Sequence, residues 1–230
     1  DKVRLYMPAD KHKDQTYFLW KLTEKELKHV LFPLGDLLKS EVREIAKKAG
    51  LSVADKKDSQ GICFVGNVEV REFLARRLEK KIGDVVDKEG KLIGKHDGVW
   101  FYTVGQRGGW TLDPKTQKFK NSKTQNKETS VYYVIGKDAK TNKLVVGERE
   151  EGLKNSFVVS ELNIREIEKI KFVRIRHGGE LVRTQDIKNS RTQDKELFIE
   201  TEKEVFGVAS GQSAVLYSED GECLGGGVIA

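Results

Sequence analysis

Of the two cysteines in this 230-residue chain, Cys63 has the setting of a working nucleophile. It lies in Lys57-Asp58-Ser59-Gln60-Gly61-Ile62-Cys63-Phe64-Val65-Gly66, after a charged stretch and between two glycines. Gly61 and Gly66 free the backbone for a positive φ or for close approach by another molecule, while Ile62, Phe64 and Val65 read as a short apolar run that anchors the thiol. If Lys56 and Lys57 are near it in space, they favour the thiolate by lowering a reference pKa of about 8.5. The competing reading is a small buried hydrophobe, a common fate of a free cysteine. The residues alone leave both open. Cys223, in a predicted strand before Leu224 and a glycine run, reads as structural.

Lys11-His12-Lys13-Asp14-Gln15-Thr16-Tyr17 is a dense polar segment directly before the apolar Phe18-Leu19-Trp20. Lys13 supplies charge, Asp14 and Gln15 supply hydrogen-bonding groups, and Tyr17 offers a stacking face, a set able to grip phosphate and ribose. The same residues also read as a helix start, with Asp14 as its cap and the lysines solvated. In Phe172-Val173-Arg174-Ile175-Arg176-His177, alternation puts Phe172, Arg174 and Arg176 on one strand face and Val173 and Ile175 on the other. Arginines so placed can read an RNA backbone, and a strand with one wet face shows the same pattern. The glycine-rich strings around Gly211 and Gly225 lack the strand-to-helix setting of a phosphate loop and read as barrel corners.

The net charge of +6, with 34% charged residues, favours an acidic partner such as nucleic acid or serves solubility. No apolar run approaches the ~18 residues a membrane helix needs, and the first residues do not open a signal peptide, so no membrane association and a cytoplasmic location are expected. Four scattered histidines and two distant cysteines supply no metal-ligand spacing, and a structural disulfide between Cys63 and Cys223 is disfavoured in a reducing compartment.

The length favours more than one compact unit. A short extended piece, Val3 to Met7, precedes a helix that Thr23 and Glu26 cap as a box and that should reach Leu31. A second helix, capped by Ser40 and ended by Gly50, completes a helical hairpin. A third covers Val68 to Leu78. From Ile82 the pattern becomes β, with a hairpin turn at Asp87 to Gly90, a strand at Val99 to Tyr102, a polar surface loop from Asp113 to Ser130, and a hairpin about Asp138 to Asn142. Short strands at Phe157–Val159, Lys171–Arg176, Glu180–Val182, Leu197–Glu200, Gln212–Tyr217 and Cys223–Ile229 predict a closed β-barrel.

Lys13-Asp14-Gln15 with Tyr17-Phe18-Leu19, Phe32-Pro33-Leu34-Gly35, Glu41-Val42-Arg43-Glu44-Ile45-Ala46, the Cys63 string, Tyr102-Thr103-Val104-Gly105-Gln106-Arg107 and Gly211-Gln212-Ser213-Ala214-Val215 together resemble the bacterial tRNA-specific 2-thiouridylase family in order and approximate spacing. The resemblance implies a multi-domain α+β fold: residues 1–68 as the helical end of a PP-loop nucleotide-binding domain, 69–153 as a small mainly-β domain and 154–230 as a C-terminal β-barrel. It implies an ATP- and Mg-dependent transferase in tRNA processing that replaces the 2-oxygen of the wobble uridine by sulfur, using two cysteines. One lies in the PP-loop domain, and the other, here Cys63, carries a persulfide. It also implies tRNA contacts at Lys13, Asp14, Gln15, Arg176, His177 and Gln212, a sulfur-relay donor protein as partner, and a monomer. His177 departs from the family's usual Tyr. The family's Ser-Gly-Gly-x-Asp-Ser signature and first cysteine do not occur here, so the chain is expected to be a fragment that binds no cofactor and is inactive alone. The alternative is a non-catalytic tRNA-binding module or one subunit of a split enzyme.

Overall fold

The computed structural model describes residues 2–56, 70–113, 131–189 and 196–230, in two compact units: Asp1–Lys57 with Asn155–Ala230, and Asp58–Lys154. Cys63 and all but the first residue of the expected Asp113–Ser130 loop lie outside the described residues.

The N-terminal segment carries three short helices, α1 (Thr16–Leu19), α2 (Glu24–Leu27) and α3 (Lys39–Lys48). The expected capping box of α2 is formed: Glu26 accepts from the Thr23 amide at 2.7 Å while the Glu26 amide donates to Thr23 Oγ1. The helix stops at Leu27, short of Leu31, because Leu27 is its one buried residue and Val30 and Leu31 are exposed. Isolated short helices are marginal without a packed face. α3 is capped differently from the Ser40 expectation. Glu41 reaches back to the Leu38 amide, and Asp10, 29 residues upstream, accepts from the Lys39 amide at 3.0 Å. Its end is as predicted, with Gly50 at φ +68 and the paired bonds Leu51 N to Ala46 O and Gly50 N to Lys47 O of a Schellman motif.

The second unit contains α4 (Val70–Ala75) and strands β1 (Gly83–Val86), β2 (Leu92–His96), β3 (Thr111–Leu112), β4 (Tyr133–Asp138) and β5 (Lys143–Gly147). They form one sheet in the order β3-β2-β1-β5-β4, with β1 and β5 parallel. The expected strand at Val99–Tyr102 is instead a 3₁₀ turn over Val99–Phe101, because Gly98 at φ 141 redirects the chain and the Val99 amide is taken by Asn142 Oδ1. Tyr102 to Arg107 is a turn stapled to β4: Gly105 donates to Val134 O at 2.7 Å, and Val134 N returns a bond to Gln106 O.

His96 is buried, with Nδ1 accepting from the Gly98 amide at 2.9 Å and Nε2 3.1 Å from the Asn142 carbonyl. An acceptor Nδ1 makes the ring the neutral Nε2–H tautomer. Burial holds its pKa below the usual histidine value, against the opposing pull of the Asn142 carbonyl.

The barrel is closed by six strands, β6 (Leu153–Ile164), β7 (Phe172–Arg174), β8 (Val182–Asn189), β9 (Leu197–Phe206), β10 (Ser213–Tyr217) and β11 (Cys223–Ile229), in the cyclic order β10-β11-β6-β9-β8-β7. Its interior holds Phe157, Val159, Val173, Ile175, Leu197, Ile199, Ala214, Leu216 and Leu224. The third expected strand, Glu180–Val182, meets β8 only at Val182, its first residue. The Gly225-Gly226-Gly227 run is no barrel corner. It sits within β11, where a Cβ on each glycine would overlap the carbonyl oxygens of Asn163, Ala214 and Ser160 in turn. Side-chain-free backbone there lets neighbouring strands close in, with bulges in both flanking ladders.

Two outcomes follow. Gly225→Ala, at φ +118 against the Asn163 carbonyl, lowers barrel stability by about 1–3 kcal/mol in a denaturant titration. For the second unit, the unfolded chain binds the His96 proton near its ordinary pKa of about 6.5 and the folded chain only below that. The contribution of a neutral His96 is therefore complete above about pH 6.5 and lost as pH falls through the depressed folded value. The stability gap between the wild type and His96→Gln should narrow between about pH 8 and about pH 5.

Candidate functional site

The outer face of β7 and β10 is not solvated. Val215 and Tyr217 of β10 point away from the barrel interior and pack with Leu5, Trp20, Leu27 and Cys223, so the N-terminal segment lies on the barrel wall. Burying Leu5 and Leu27 contributes about 1.5–3 kcal/mol each. The extended piece adds a bridge between Tyr6 and Glu222 and the backbone bonds Met7 N to Gly221 O and Cys223 N to Leu5 O. At its edge, Arg4 donates to Glu222 at 2.6 Å and to Glu166 at 3.0 Å, and Glu166, which also accepts from Lys169, is held down to about 2.

This packing decides where the candidate residues stand. Lys11 to Lys13 form an exposed 3₁₀ turn capped by Asp10, which accepts from the His12 amide at 3.1 Å. Gln15 is exposed. Asp14, between them, is 3% exposed and Arg174 7%. Asp14 Oδ2 accepts from Arg174 Nη1 at 2.6 Å, and Oδ1 accepts from the Thr16 amide at 2.9 Å and from Thr16 Oγ1 at 2.7 Å. Thr16 Oγ1 lies 3.1 Å from Tyr217 Oη, whose pKa burial raises well above its ordinary value. The Arg174 guanidinium sits 5.3 Å from the Tyr217 ring centroid. The alternation in Phe172 to His177 thus assigned the faces correctly, but the arginine face is covered. Asp14 is not the helix cap that the sequence suggests: Gln15 holds the N-cap position of α1 without a side-chain bond, while Asp14, one residue earlier, takes the Thr16 amide and hydroxyl, and both charges of the pair are shielded from solvent.

Beyond the Val215–Arg174 pair, the β7–β10 ladder opens. Tyr17 Oη fills the opening, 3.0 Å from the carbonyls of both Ile175 and Ser213, and Trp20 Nε1 donates to Ser213 Oγ at 3.0 Å. Arg176 donates to the Gly207 carbonyl at 3.0 Å, its guanidinium occupying the place a Cβ on Gly207 would need. His177, in the following exposed turn, lies with its ring centroid 4.6 Å from Phe18 and 6.4 Å from Tyr17. Gln212 adjoins Ser213, and its shielded side-chain oxygen accepts no hydrogen bond. Lys13, Asp14, Gln15, Arg176, His177 and Gln212 therefore belong to one unit around the β7 end and the β10 start, whereas Cys63 lies outside the described residues.

Sequence reasoning missed Phe18, which stands in the apolar string Phe18-Leu19-Trp20 yet is 56% exposed. A signal existed. Thr16 and Trp20, both buried, are four apart and share a helix face, so Phe18, two from each, falls opposite. Conversely Tyr17, expected to offer a stacking face, spends its hydroxyl on the wall.

Cys223 is a buried free thiol whose pKa burial pushes up to about 11, the profile of a structural residue. Among the described residues no group of three or more His, Cys, Asp or Glu could hold a metal ion, and no helix is long and apolar enough to cross a membrane. Nor do the glycine-rich strings suit a nucleotide: those around Gly211 and Gly225 are a turn and a strand interior.

Three family models match the chain end to end: a tRNA methyl transferase HUP domain over residues 1–67, a tRNA methyl transferase PRC-barrel domain over 71–148, and an aminomethyltransferase beta-barrel domain over 154–229. The architecture is accordingly a mixed α+β multi-domain one, ending in a barrel. The chain is 39% identical over 231 residues to the tRNA-specific 2-thiouridylase MnmA of Mycoplasma genitalium, covering 98% of this chain and 59% of that protein. It is 39% identical over 242 residues to MnmA 2 of Aliarcobacter butzleri (100% and 63%), and 36% over 238 residues to MnmA of Lysinibacillus sphaericus (99% and 59%). The chain belongs to the tRNA-specific 2-thiouridylase family. It spans about three-fifths of the length of the relatives it matches.

Replacing Asp14 by Asn leaves Arg174 buried without its counter-charge, so Asp14→Asn should destabilise the unit by about 3–5 kcal/mol in urea titration, with much of the loss recovered in Asp14→Asn/Arg174→Met. A loss below about 1 kcal/mol would show that the pair does not hold the segment.

Proposed function

We propose that this chain is the tRNA-holding and sulfur-carrying part of a tRNA 2-thiouridylase, acting on the wobble uridine. The observation that carries the reading is the match of relatives named for that activity along nearly the whole chain. A basic and aromatic surface on the barrel unit supports it, with Lys11, His12, Lys13 and Gln15 exposed on one side and His177 on the other. Charge of this kind suits phosphate, and rings suit bases. Asp14 enters the proposal as a positioning residue that holds Lys13 and Gln15 outward. Lys13, Gln15, Arg176, His177 and Gln212 are the proposed tRNA contacts.

Cys63 is the proposed sulfur carrier. Its thiolate attacks the terminal sulfur of a donor protein's persulfide, the donor thiolate leaves, and the sulfur stays on Cys63 as a persulfide. ATP with Mg would supply activation of the uracil oxygen, and the proposal places it with the remainder of a longer enzyme, of whose length this chain matches about three-fifths. The proposed boundaries near residues 68 and 153 divide that domain's end, the central sheet domain and the barrel. Cytoplasmic location and a monomeric state complete the reading.

Mass spectrometry of the enzyme that includes the nucleotide-binding segment, after incubation with a persulfide donor, should find the added sulfur on Cys63. A native Cys63 that neither takes up sulfur nor reacts with an alkylating reagent would favour a non-catalytic RNA-binding module. For the chain itself, tRNA binding should weaken with salt, with a log–log slope of about −0.7 to −0.9 per phosphate contacted, and Lys13→Ala should reduce that slope by about one contact.

A further inference from the structure

Phe18 is the large apolar side chain at this site that packing does not explain. In α1 and the residue after it, Thr16 and Trp20 are buried and Tyr17 and Leu19 partly so, yet Phe18 keeps 56% of its surface exposed. Its ring is nevertheless held. His177 lies at a centroid distance of 4.6 Å with the planes 34° apart, and Tyr17 meets it edge-on at 5.5 Å. Tyr17 is itself fastened by its hydroxyl to the two barrel carbonyls, and the preceding turn is locked by Asp14 to Arg174 and Thr16. The cost of ordering the ring is thus met by the fold before any ligand arrives.

The surroundings select the ligand. A protein-docking patch joins several apolar side chains, whereas the exposed residues nearest Phe18 in sequence are Lys13 and Gln15 before it and Lys21 after it, with Lys11 and His12 just upstream, and the exposed His177 lies against its ring. An exposed aromatic face amid cations complements a polyanion whose monomers carry π faces.

We propose that Phe18, backed by His177, is a stacking platform for an unpaired nucleobase of the bound RNA. This rests on the tRNA-holding function proposed above and adds to it the residue and the kind of base contact. Stacking carries no charge, so its loss lowers affinity equally at all salt concentrations, while loss of a phosphate contact changes the salt slope.

The experiment measures binding of the full chain to an in vitro transcribed tRNA with an unmodified wobble uridine, across a salt series, for Phe18→Ala, Phe18→Leu, Phe18→Tyr and Lys13→Ala. Phe18→Ala and Phe18→Leu should each weaken binding about 5- to 150-fold with the salt slope unchanged, and Phe18→Tyr should stay within about threefold of wild type. Because the ring is exposed, all three should keep the wild-type melting curve. Wild-type affinity in Phe18→Leu would overturn the proposal in favour of a simple apolar contact, such as a protein partner would use. Unchanged affinity in Phe18→Ala while Lys13→Ala still lowers the slope would overturn it and leave the tRNA-holding function standing. An absence of salt-sensitive binding by the wild type would remove both.

Discussion

The buried ion pair between Asp14 and Arg174 is the contact on which the arrangement of the barrel unit depends. Two opposite charges taken out of water are costly apart and tolerable only together with their remaining hydrogen-bonding capacity met. Here Thr16 meets much of the Asp14 capacity, and the Tyr217 ring lies beside the guanidinium. The pair joins residues 160 apart in sequence, which ties an N-terminal turn to the outside of a barrel strand. Neither partner can leave its place without stranding the other. The exposed residues on either side of Asp14 inherit that rigidity.

The barrel supplies the other half of the constraint. Its strands β7 and β10 carry apolar residues on both faces: one set fills the interior, and the other, with Tyr217 and Val215, becomes the floor for Leu5, Trp20 and Leu27. A strand covered on both sides cannot show a wet face, which is why Arg174 is enclosed. Where the ladder opens past Val215 and Arg174, the carbonyls of Ser213 and Ile175 share the Tyr17 hydroxyl, and nearby Arg176 donates to the Gly207 carbonyl that precedes β10. The candidate interface therefore forms where strand pairing ends and side chains complete the hydrogen bonding.

Local signals were legible where they depend on neighbours in sequence. The Thr23–Glu26 box, the Gly50 terminator, the turn at Gly90 and the alternation of β7 all took the expected form, since each is decided within a few residues. The failures share one cause. Val99 to Tyr102 has the composition of a strand, but Asn142, 43 residues away, takes the Val99 amide and the segment turns. The glycine run in β11 looked like a corner because its reason, the closeness of Asn163, Ala214 and Ser160, lies in other strands. The Asp10 cap on α3 is equally remote.

The chain's own letters determined its family resemblance, the closed barrel at its end, its basic character and the candidate residues, because these follow from residue type and short spacing. Only the tertiary structure decided which of those residues face water. Lys13 and Asp14 are adjacent in sequence, yet one is exposed and the other is enclosed by an arginine from a strand far along the chain. Phe18, in an apolar string with Leu19 and Trp20, stays outside because Thr16 and Trp20 took the one helix face that the barrel wall could cover.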